Sequence, residues 1–292
     1  MKNQEISAYA GKLSQIYQND SISHSQNIQL ANDEISQSLA NSPSMNTNLQ
    51  VVLKKLQSKK IRQLYQELGP VYDIDENYEI RNFDDDSCYF GQVENDQKNG
   101  TGILVWSEVG NILDGIWVNN ELNGFCRMIY SNGDMQSGNQ LNSFECEFKY
   151  GKANGFGVFS TKSKVVKGLW TNNVLNGEGQ EIRSDGSKYF GQFKDGQKNG
   201  KGIIYYKDGC KYEGEISKNK LDGKGVLVWN DSSYYEGEFR SGIINGSGIY
   251  VSGNGNSLSG YFEEISNKDR IQRIQCIHNS GSERFIEKIR YL

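Results

Sequence analysis

The sequence predicts a mainly β fold: a single-layer antiparallel solenoid of stacked β-hairpins with an α-helical N-terminal extension and a short strand-and-helix cap at the C-terminus. Two observations lead to this prediction. Glycines in a Tyr-x-Gly pattern recur every 23 residues from Gly168 onward, and a fixed period of this length is typical of repeat proteins. Each period also holds two short runs of alternating polarity, joined by Asp-Gly or Asn-Gly dipeptides that favour hairpin turns.

The composition agrees with a sheet built on glycine and tyrosine. The 292 residues include 33 glycines, 2 prolines and 17 tyrosines. Hydrophobic residues make up 36% of the chain, below the roughly 45–50% of ordinary globular proteins, so we do not expect a thick aliphatic core. The net charge of −4 lacks the basic excess of nucleic-acid-binding proteins, and we predict no nucleic-acid partner.

The cysteines and histidines indicate neither a disulfide framework nor a metal cluster. The five cysteines form no C-x-x-C pair, and the two histidines, His24 and His278, lie far apart. We therefore expect no metal and no cofactor. Residues 1–13 lack the apolar segment of a secretory signal, and no apolar run reaches the roughly 18 residues of a membrane-spanning helix. We expect a cytoplasmic protein.

Residues 1–87 form a Ser/Asn/Gln-rich extension in which we expect helices. Apolar residues recur at helical spacing over 6–17 and, more weakly, over 28–39. The strongest pattern covers 48–68, with an asparagine as a cap at its start and a Gly-Pro pair as a stop. Its apolar stripe consists of Leu49, Val52, Leu53, Leu56, Leu64 and Leu68.

The other side of this third helix is basic. It carries Lys54, Lys55, Lys59, Lys60 and Arg62. Three interpretations stay open: a solvated face of a helix packed on the repeats, a contact with an acidic protein surface, and a contact with anionic phospholipid.

Residues 88–262 form the repeat array, with about seven units. The first glycine of the motif falls at Gly91, Gly115, Gly168, Gly191, Gly214, Gly237 and Gly260. A second ladder of Gly-x-Gly pairs accompanies it. The step after Gly124 is eight residues longer than 23, which indicates an insertion near 137–143, and Cys146 stands where the next motif would have its glycine.

Each unit is expected to be a β-hairpin, as residues 189–206 illustrate. In YFGQF, strand alternation places Tyr189 and Phe193 on one face with Gly191 between them. KGIIYY provides the second strand. We interpret KDGQKNG as the turn, because Asp-Gly and Asn-Gly supply residues with positive φ. Glycine in a strand lets a neighbouring aromatic ring lie against the backbone.

Residues 263–292 are expected to cap the sheet. IQRIQCI at 271–277 alternates as a strand does, whereas SERFIEKIRYL at 282–292 has apolar residues at helical spacing. A terminal helix would protect the last strand, whose free edge otherwise invites pairing with another chain.

The units at 189–209, 212–234 and 235–251 resemble MORN repeats, which share a Tyr-Glu-Gly-x-aromatic strand, a polar turn, an Asn-Gly-x-Gly strand and an Asp-Gly. The resemblance covers about residues 88–262. It implies a scaffold that dimerises or docks other chains, and in some members associates with acidic phospholipids. Too few residues follow the last unit for the kinase or SET domain of some members, and a junctophilin-like anchor is missing. The chain is most similar to stand-alone and radial spoke head members.

Three patterns with a catalytic or ligand-binding precedent are weak here. GQKNGKG at 196–202 has the wrong spacing for a phosphate-binding loop and recurs as a hairpin sequence. The glutamates of the Tyr-Glu-Gly-Glu motifs fall on one exposed strand face rather than across a cleft. No histidine adjoins a cysteine. We therefore expect neither catalytic residues nor enzyme activity.

The favoured function is a non-enzymatic scaffold of a ciliary (axonemal, radial-spoke-like) or cytoskeletal assembly, which docks other proteins on the repeat sheet. The candidate partner-binding residues are Trp117, Trp170, Tyr189, Phe193, Tyr212, Tyr235 and Phe239. Core packing is the alternative role for each of them. A homodimer through an end of the sheet stays open. The alternative function is a module that tethers acidic, phosphoinositide-containing membranes through the basic helix at 54–62.

Overall fold

The computed structural model describes residues 46–108, 110–131, 141–265, 273–277 and 283–287. The helices expected at 6–17 and 28–39, and most of the insertion near 137–143, lie outside the described residues. The chain divides into two compact units, Met1–Gln50 and Val51–Leu292. The second unit holds the sheet.

Two short helices, α1 (Thr47–Lys54) and α2 (Lys59–Leu68), replace the single helix expected over 48–68. The side chain of Asn46 caps the start of α1, where its Oδ1 accepts a hydrogen bond from the Asn48 N–H at 2.8 Å. The predicted asparagine cap is therefore confirmed, whereas the predicted continuity of the helix is wrong.

The break between the helices is caused by a contact with a residue that is distant in the sequence. Gln57 donates its backbone N–H to the carbonyl of Ser107 (3.3 Å) instead of to a helical carbonyl. Ser58 then starts α2, because its hydroxyl accepts from the Ile61 N–H at 3.4 Å. The first four residues of the predicted stripe, Leu49, Val52, Leu53 and Leu56, are buried as predicted. In α2 the buried residues are Ile61 and Tyr65, whereas Leu64 and Leu68 are half-buried, so the break rotates the apolar face of this second helix.

The described residues form eighteen strands. Their bounds are β1 (Glu79–Asn82), β2 (Ser87–Glu94), β3 (Gln97–Trp106), β4 (Asn111–Val118), β5 (Glu121–Ser131), β6 (Leu141–Lys149), β7 (Lys152–Ser160), β8 (Lys164–Thr171), β9 (Val174–Arg183), β10 (Lys188–Lys194), β11 (Gln197–Tyr205), β12 (Lys211–Ser217), β13 (Lys220–Val228), β14 (Tyr234–Arg240), β15 (Ile243–Val251), β16 (Ser257–Ile265), β17 (Arg273–Ile277) and β18 (Glu283–Glu287). Each strand pairs antiparallel with the next along the chain. The result is one meandering sheet in which every hairpin depends on its neighbours.

Seven hairpins close through two-residue turns in which both residues have positive φ. These turns are Asn95-Asp96, Asn119-Asn120, Tyr150-Gly151, Asn172-Asn173, Asp195-Gly196, Lys218-Asn219 and Ser241-Gly242. This is the type I′ geometry, whose twist matches that of the flanking strands. The turn expected over KDGQKNG is therefore shorter than predicted, because β11 already begins at Gln197. The positive φ of Gly200 (89°) lies inside that strand.

Successive turns are joined by hydrogen bonds. Asn219 donates its N–H to the carbonyl of Lys198 (2.9 Å), and its Oδ1 accepts from the Lys198 N–H (2.9 Å). Asn120 makes the same pair of bonds with Lys98, and Asn173 makes it with Ala153. These bonds link each hairpin to the preceding one and satisfy backbone groups near the turns.

One row of residues crosses the sheet from β2 to β16, and each residue of it is the direct partner of the next. This glycine row consists of Gly91, Gly102, Gly115, Cys126, Cys146, Gly157, Gly168, Gly179, Gly191, Gly202, Gly214, Gly225, Gly237, Gly248 and Gly260. The structure confirms that Cys146 occupies a glycine position of the motif. In each hairpin a β-bulge follows the row residue of the first strand, as between Gly214 and Ile216.

The C-terminal part confirms one expectation and corrects another. The strand predicted at 271–277 is present as β17. The helix predicted at 282–292 is wrong over 283–287, because these residues form β18 and pair with β17. The free edge of β17 offers backbone hydrogen bonds that outweigh the helical spacing of a short apolar pattern.

Candidate docking face

One face of the sheet, here called the ring face, is filled by tyrosines that lie over the glycine row. A Cβ placed on Gly225 would come within 2.5 Å of the Tyr212 hydroxyl oxygen and 2.6 Å of its ring. The same arrangement recurs for Tyr235 over Gly248. Real side-chain carbons do not approach so closely, so these positions require glycine and the rings occupy the space it leaves.

The tyrosine hydroxyls also satisfy the backbone at the bulges. Tyr212 donates to the carbonyl of Glu215 (2.7 Å), and Tyr189 donates to that of Gln192 (2.6 Å). Tyr89 and Tyr235 make the corresponding bonds to the carbonyls of Gln92 and Glu238, each of which lies three residues further along the chain. A phenylalanine would fill the same volume but would leave these carbonyls without a donor.

The seven aromatic residues expected to bind partners lie on the ring face, and six of them are buried. Tyr189, Phe193, Tyr212, Tyr235 and Phe239 are 0–6% exposed, and Trp117 is 4% exposed. Trp170 is half-buried. Ring contacts join successive units, for example at 5.1 Å between the ring centroids of Tyr212 and Phe239. This burial favours the alternative role, core packing, and leaves these rings little area for a partner.

A buried carboxylate that the sequence interpretation missed lies on the ring face. Glu181 is 5% exposed and stands where other units have an apolar residue. Its carboxylate forms ion pairs with Lys198 (2.8 Å), Arg183 (2.9 Å) and Lys164 (3.3 Å). Burial alone would raise its pKa, but hydrogen bonds and charges of Lys198 and Arg183 outweigh that effect and lower it to about 2. We interpret this cluster as structural.

The opposite face, here called the outer face, is covered over its first strands. Phe90, Ile103 and Val105 are at most 1% exposed there. The cover includes α2, whose buried residues are Ile61 and Tyr65.

Asp114 is the polar centre of this covered region, and nothing in the sequence pattern singled it out. Its Oδ2 accepts from the Tyr65 hydroxyl (2.7 Å) and from the Val71 N–H (2.7 Å). Asp114 is 2% exposed, and this burial raises its pKa to about 6 against the opposing effects of both hydrogen bonds and of Arg127. Arg127 also donates to the carbonyl of Gly69 at 2.9 Å. The cluster ties the end of α2 to the sheet.

None of the described residues covers the outer face from β9 to β15, where it forms a groove of about 900 Å³. Its apolar floor residues, Phe190, Ile203 and Val226, are half-buried, in contrast to their fully buried equivalents under α2. The groove, here called the outer groove, is lined by Glu178, Phe190, Gly191, Gln192, Lys201, Gly202, Ile203, Glu213, Gly214, Glu215, Lys224, Gly225, Val226, Glu236, Gly237, Glu238 and Ser247.

The outer groove is acidic. Five glutamates and two lysines line it, a net charge of −3. The sequence interpretation placed the Tyr-Glu-Gly-Glu glutamates on one exposed face, and all four lie together in this groove. Exposed large apolar residues continue the same face beyond it, since Ile249 and Tyr261 are each 45% exposed.

Two of the four motif glutamates have a backbone role. The carboxylate of Glu238 accepts from the Ser247 N–H (3.3 Å) and lies where a Cβ on Gly246 would be. Glu215 lies in the same way over Gly223. The other two, Glu213 and Glu236, precede the glycine row, and the Glu213 carboxylate is 60% exposed although it pairs with Lys211.

The basic residues proposed as a lipid or acidic-partner site lie on and between the helices. Lys54, Lys55, Lys59 and Lys60 are exposed, and Arg62 is half-buried. Lys55 hydrogen-bonds to Asn82. Because the predicted helix is interrupted, these charges lie on two helix segments rather than along one face.

Among the described residues, no cluster of His, Cys, Asp and Glu has the geometry to hold a metal ion. The stretch GQKNGKG is a turn residue followed by β11, not a loop that precedes a helix. Burial raises the pKa of Cys126 and Cys146 to about 12, so both thiols are protonated and poorly nucleophilic. Within the described part of the chain, no helix is long and apolar enough to cross a membrane.

Comparison with known proteins gives one informative match. The family model described as the MORN repeat matches seven segments, 89–108, 114–135, 145–163, 167–188, 189–211, 212–234 and 235–257. Among curated proteins no sequence matches significantly. A solved structure of the G-box domain of the microcephaly protein CPAP, for which a role in centriole elongation is suggested, aligns over 73% of this chain and 99% of that chain. Its TM-score of 0.24 and identity of 13% are too low to transfer either fold or role.

Proposed function

The chain belongs to the MORN-repeat family, and we propose that it is a non-enzymatic scaffold that docks other proteins on the outer groove of its sheet. The observation that carries this proposal is the contrast between the two faces. The ring face is filled by its own tyrosines, whereas the outer groove presents partly exposed apolar residues beside five glutamates and two lysines. Exposed apolar surface with a polar rim is typical of protein interaction sites.

We propose further that the assembly is ciliary or cytoskeletal. The support is the resemblance to stand-alone and radial spoke head members of the family, and it is an analogy at the level of the repeat. Imaging of the tagged chain in ciliated cells tests it, since co-localisation with the axoneme or with salt-washed cytoskeleton is expected and a diffuse cytosolic distribution contradicts it.

Docking on the outer groove is tested by affinity purification with matched variants. Val226→Asp places a charge on the half-buried groove floor, whereas Val118→Asp places one on a more exposed residue (39%) outside the groove. Proteins that stay bound at high salt should be lost with the first variant and retained with the second. Retention with both would place the docking surface elsewhere, and circular dichroism checks that both variants fold.

The second candidate function is a tether to acidic, phosphoinositide-containing membranes. The four exposed lysines of the helix region favour it, because clustered cations bind anionic headgroups. Co-sedimentation with phosphoinositide vesicles that disappears when Lys54, Lys55, Lys59 and Lys60 are changed to Glu would establish it. Absence of sedimentation of the unchanged chain would leave the scaffold as the better function.

A homodimer remains a proposal of its own. Sheet edges offer unpaired backbone groups to a second copy, and β18 pairs only with β17 among the described strands. Light scattering at several concentrations decides between a monomer and a dimer.

A further inference from the structure

We propose that the outer groove binds an amphipathic α-helix of a partner protein that carries a lysine or arginine at every seventh residue. This inference rests on the proposed function and names the chemistry of the partner. It starts from continuity along one face, because the first strands of the outer face are already covered by the amphipathic helix α2, through Ile61 and Tyr65. The outer groove continues that face, and no segment in the described part of the chain lies over it.

The groove and its continuation at Ile249 present a regular row of side chains across the strands. Glu213, Val226, Glu236 and Ile249 are successive direct partners on β12, β13, β14 and β15. Acidic and apolar residues therefore alternate with every strand. Neighbouring strands lie about 4.8 Å apart, so the two glutamates are separated by about 9.6 Å along this row.

That spacing matches an α-helix laid across the strands. Seven residues of helix advance about 10.5 Å, so cations seven residues apart lie beside Glu213 and Glu236 with a mismatch of about 1 Å. Apolar residues three and four positions after each cation then face Val226 and Ile249. A strand partner would instead need a free sheet edge, which the groove does not contain.

The charge of the groove selects the sign of the partner. Lys201 and Lys224 are the direct cross-strand partners of Glu215 and Glu238, so these four charges offset one another. Glu213 pairs with Lys211 beside the groove but keeps its carboxylate 60% exposed, and Glu236 and Glu178 add further negative charge to the lining. An acidic groove repels anionic lipid headgroups, which favours a basic protein helix over a membrane.

The test uses the full chain and a 21-residue peptide that repeats a heptad with one lysine, leucines three and four residues later, and alanine or glutamine elsewhere. A second peptide replaces its lysines with glutamates. Fluorescence anisotropy measures binding to the unchanged chain, to the double variant Glu213→Lys/Glu236→Lys, and to a control double variant, Glu108→Lys/Glu121→Lys, whose charges are exposed and lie outside the groove.

We expect the lysine peptide to bind the unchanged chain and the control equally. Its affinity should fall by at least about tenfold for the groove variant. The glutamate peptide, in contrast, should bind the groove variant more tightly than it binds the unchanged chain. This charge-swap rescue also shows that the variant is folded. Equal binding of the lysine peptide to all three proteins, or binding to none, overturns the proposal.

The same experiment separates this inference from the proposed function. If the peptides fail while native proteins are still lost with Val226→Asp, the groove docks partners but not a helix of this kind. If neither responds to groove variants, both ideas fail. Binding of phosphatidylserine vesicles, but not of the lysine peptide, that is abolished by Val226→Asp would replace the helix by a membrane.

Discussion

Replacement of Gly225 by alanine tests whether tyrosine rings hold the sheet together over the glycine row. A Cβ at this position meets the Tyr212 hydroxyl oxygen at 2.5 Å and ring carbons at 2.6 Å, and these ring atoms are its three nearest contacts. Gly214, by contrast, would also meet backbone atoms. The clash at Gly225 is therefore with a single side chain, that of Tyr212, which can move out of its buried position.

The magnitude follows from what the ring loses when it leaves. Tyr212 is 0% exposed, and removal of a fully buried aromatic side chain costs about 3–5 kcal/mol. Its hydrogen bond to the Glu215 carbonyl, if broken without a substitute, costs about 1–3 kcal/mol, part of which is included in that figure. Alanine regains roughly 0.5–1 kcal/mol over glycine within a strand. We expect Gly225→Ala to destabilise the sheet by about 2–4 kcal/mol.

A double-mutant cycle isolates the contact. In a Tyr212→Leu background the space above Gly225 is partly empty, so Gly225→Ala should cost less than about 1 kcal/mol, a coupling of at least about 1–2 kcal/mol. Urea unfolding followed by circular dichroism measures each free energy. Lys224→Ala, on the same strand but exposed on the outer face, is the control and should change stability by less than about 0.5 kcal/mol. Additive effects of the two changes would refute the packing of the ring over the glycine.

Three further predictions concern the turn and the buried carboxylates. Gly151→Asn should stabilise the protein by about 0.5–1 kcal/mol in urea unfolding, because Gly151 has the same φ of 69° as Asn120 at the corresponding turn position, where the side-chain oxygen accepts a hydrogen bond from the preceding hairpin; a loss of stability would contradict this. The pKa of Asp114 is raised to about 6 from an ordinary 3.8, which means that folding favours its protonated form. The contribution of Asp114 to the free energy of unfolding is therefore greatest below pH 3.8 and is lost as the pH rises through 6. Stability should fall by up to about 3 kcal/mol over this window, and Asp114→Asn should flatten the profile; an unchanged profile would contradict the assignment. The pKa of Glu181 is lowered from 4.5 to about 2, so its contribution is present above pH 4.5 and lost toward pH 2; Glu181→Gln should destabilise the protein at pH 7 by about 1–3 kcal/mol and much less at pH 2, and an equal loss at both pH values would rule out the charge as the cause.

The repeat made most of the sheet predictable from the sequence. The spacing of the Tyr-x-Gly motifs predicted the hairpins, and strand alternation predicted that Tyr189 and Phe193 share a face, as their ring contact at 5.1 Å shows. The length of the turns was less predictable. Both a type I′ turn and a β-bulge use positive φ, so Asp195-Gly196 and Asn199-Gly200 look alike in sequence although only the first is a turn.

Other errors arose where distant contacts decide local structure. The break before Ser58 depends on the carbonyl of Ser107, which no pattern within the helix can indicate. The strand β18 exists because β17 offers it an edge. Asp114 followed by glycine reads as a turn dipeptide, and only the packing of α2 makes it a buried anchor.

The candidate site was predictable in part. The sequence indicated that the motif glutamates share an exposed face, yet the aromatic residues attracted the partner-binding hypothesis because large rings are frequent at interfaces. It could not show that glycine on both neighbouring strands makes room for those rings to lie flat and buried. Coverage of one end of the outer face by α2, which defines the groove, is a long-range packing result.

Hydroxyl-radical footprinting of the free chain and of its complex with the lysine peptide tests the distinction between the two faces most directly. We expect Phe190, Ile203 and Val226 to react in the free chain and to be protected in the complex, while Tyr212 and Tyr235 stay unreactive in both. Tyrosines that react strongly in the free chain and become protected by the peptide would show that the ring face is the docking surface, and would contradict the assignment made from the structure.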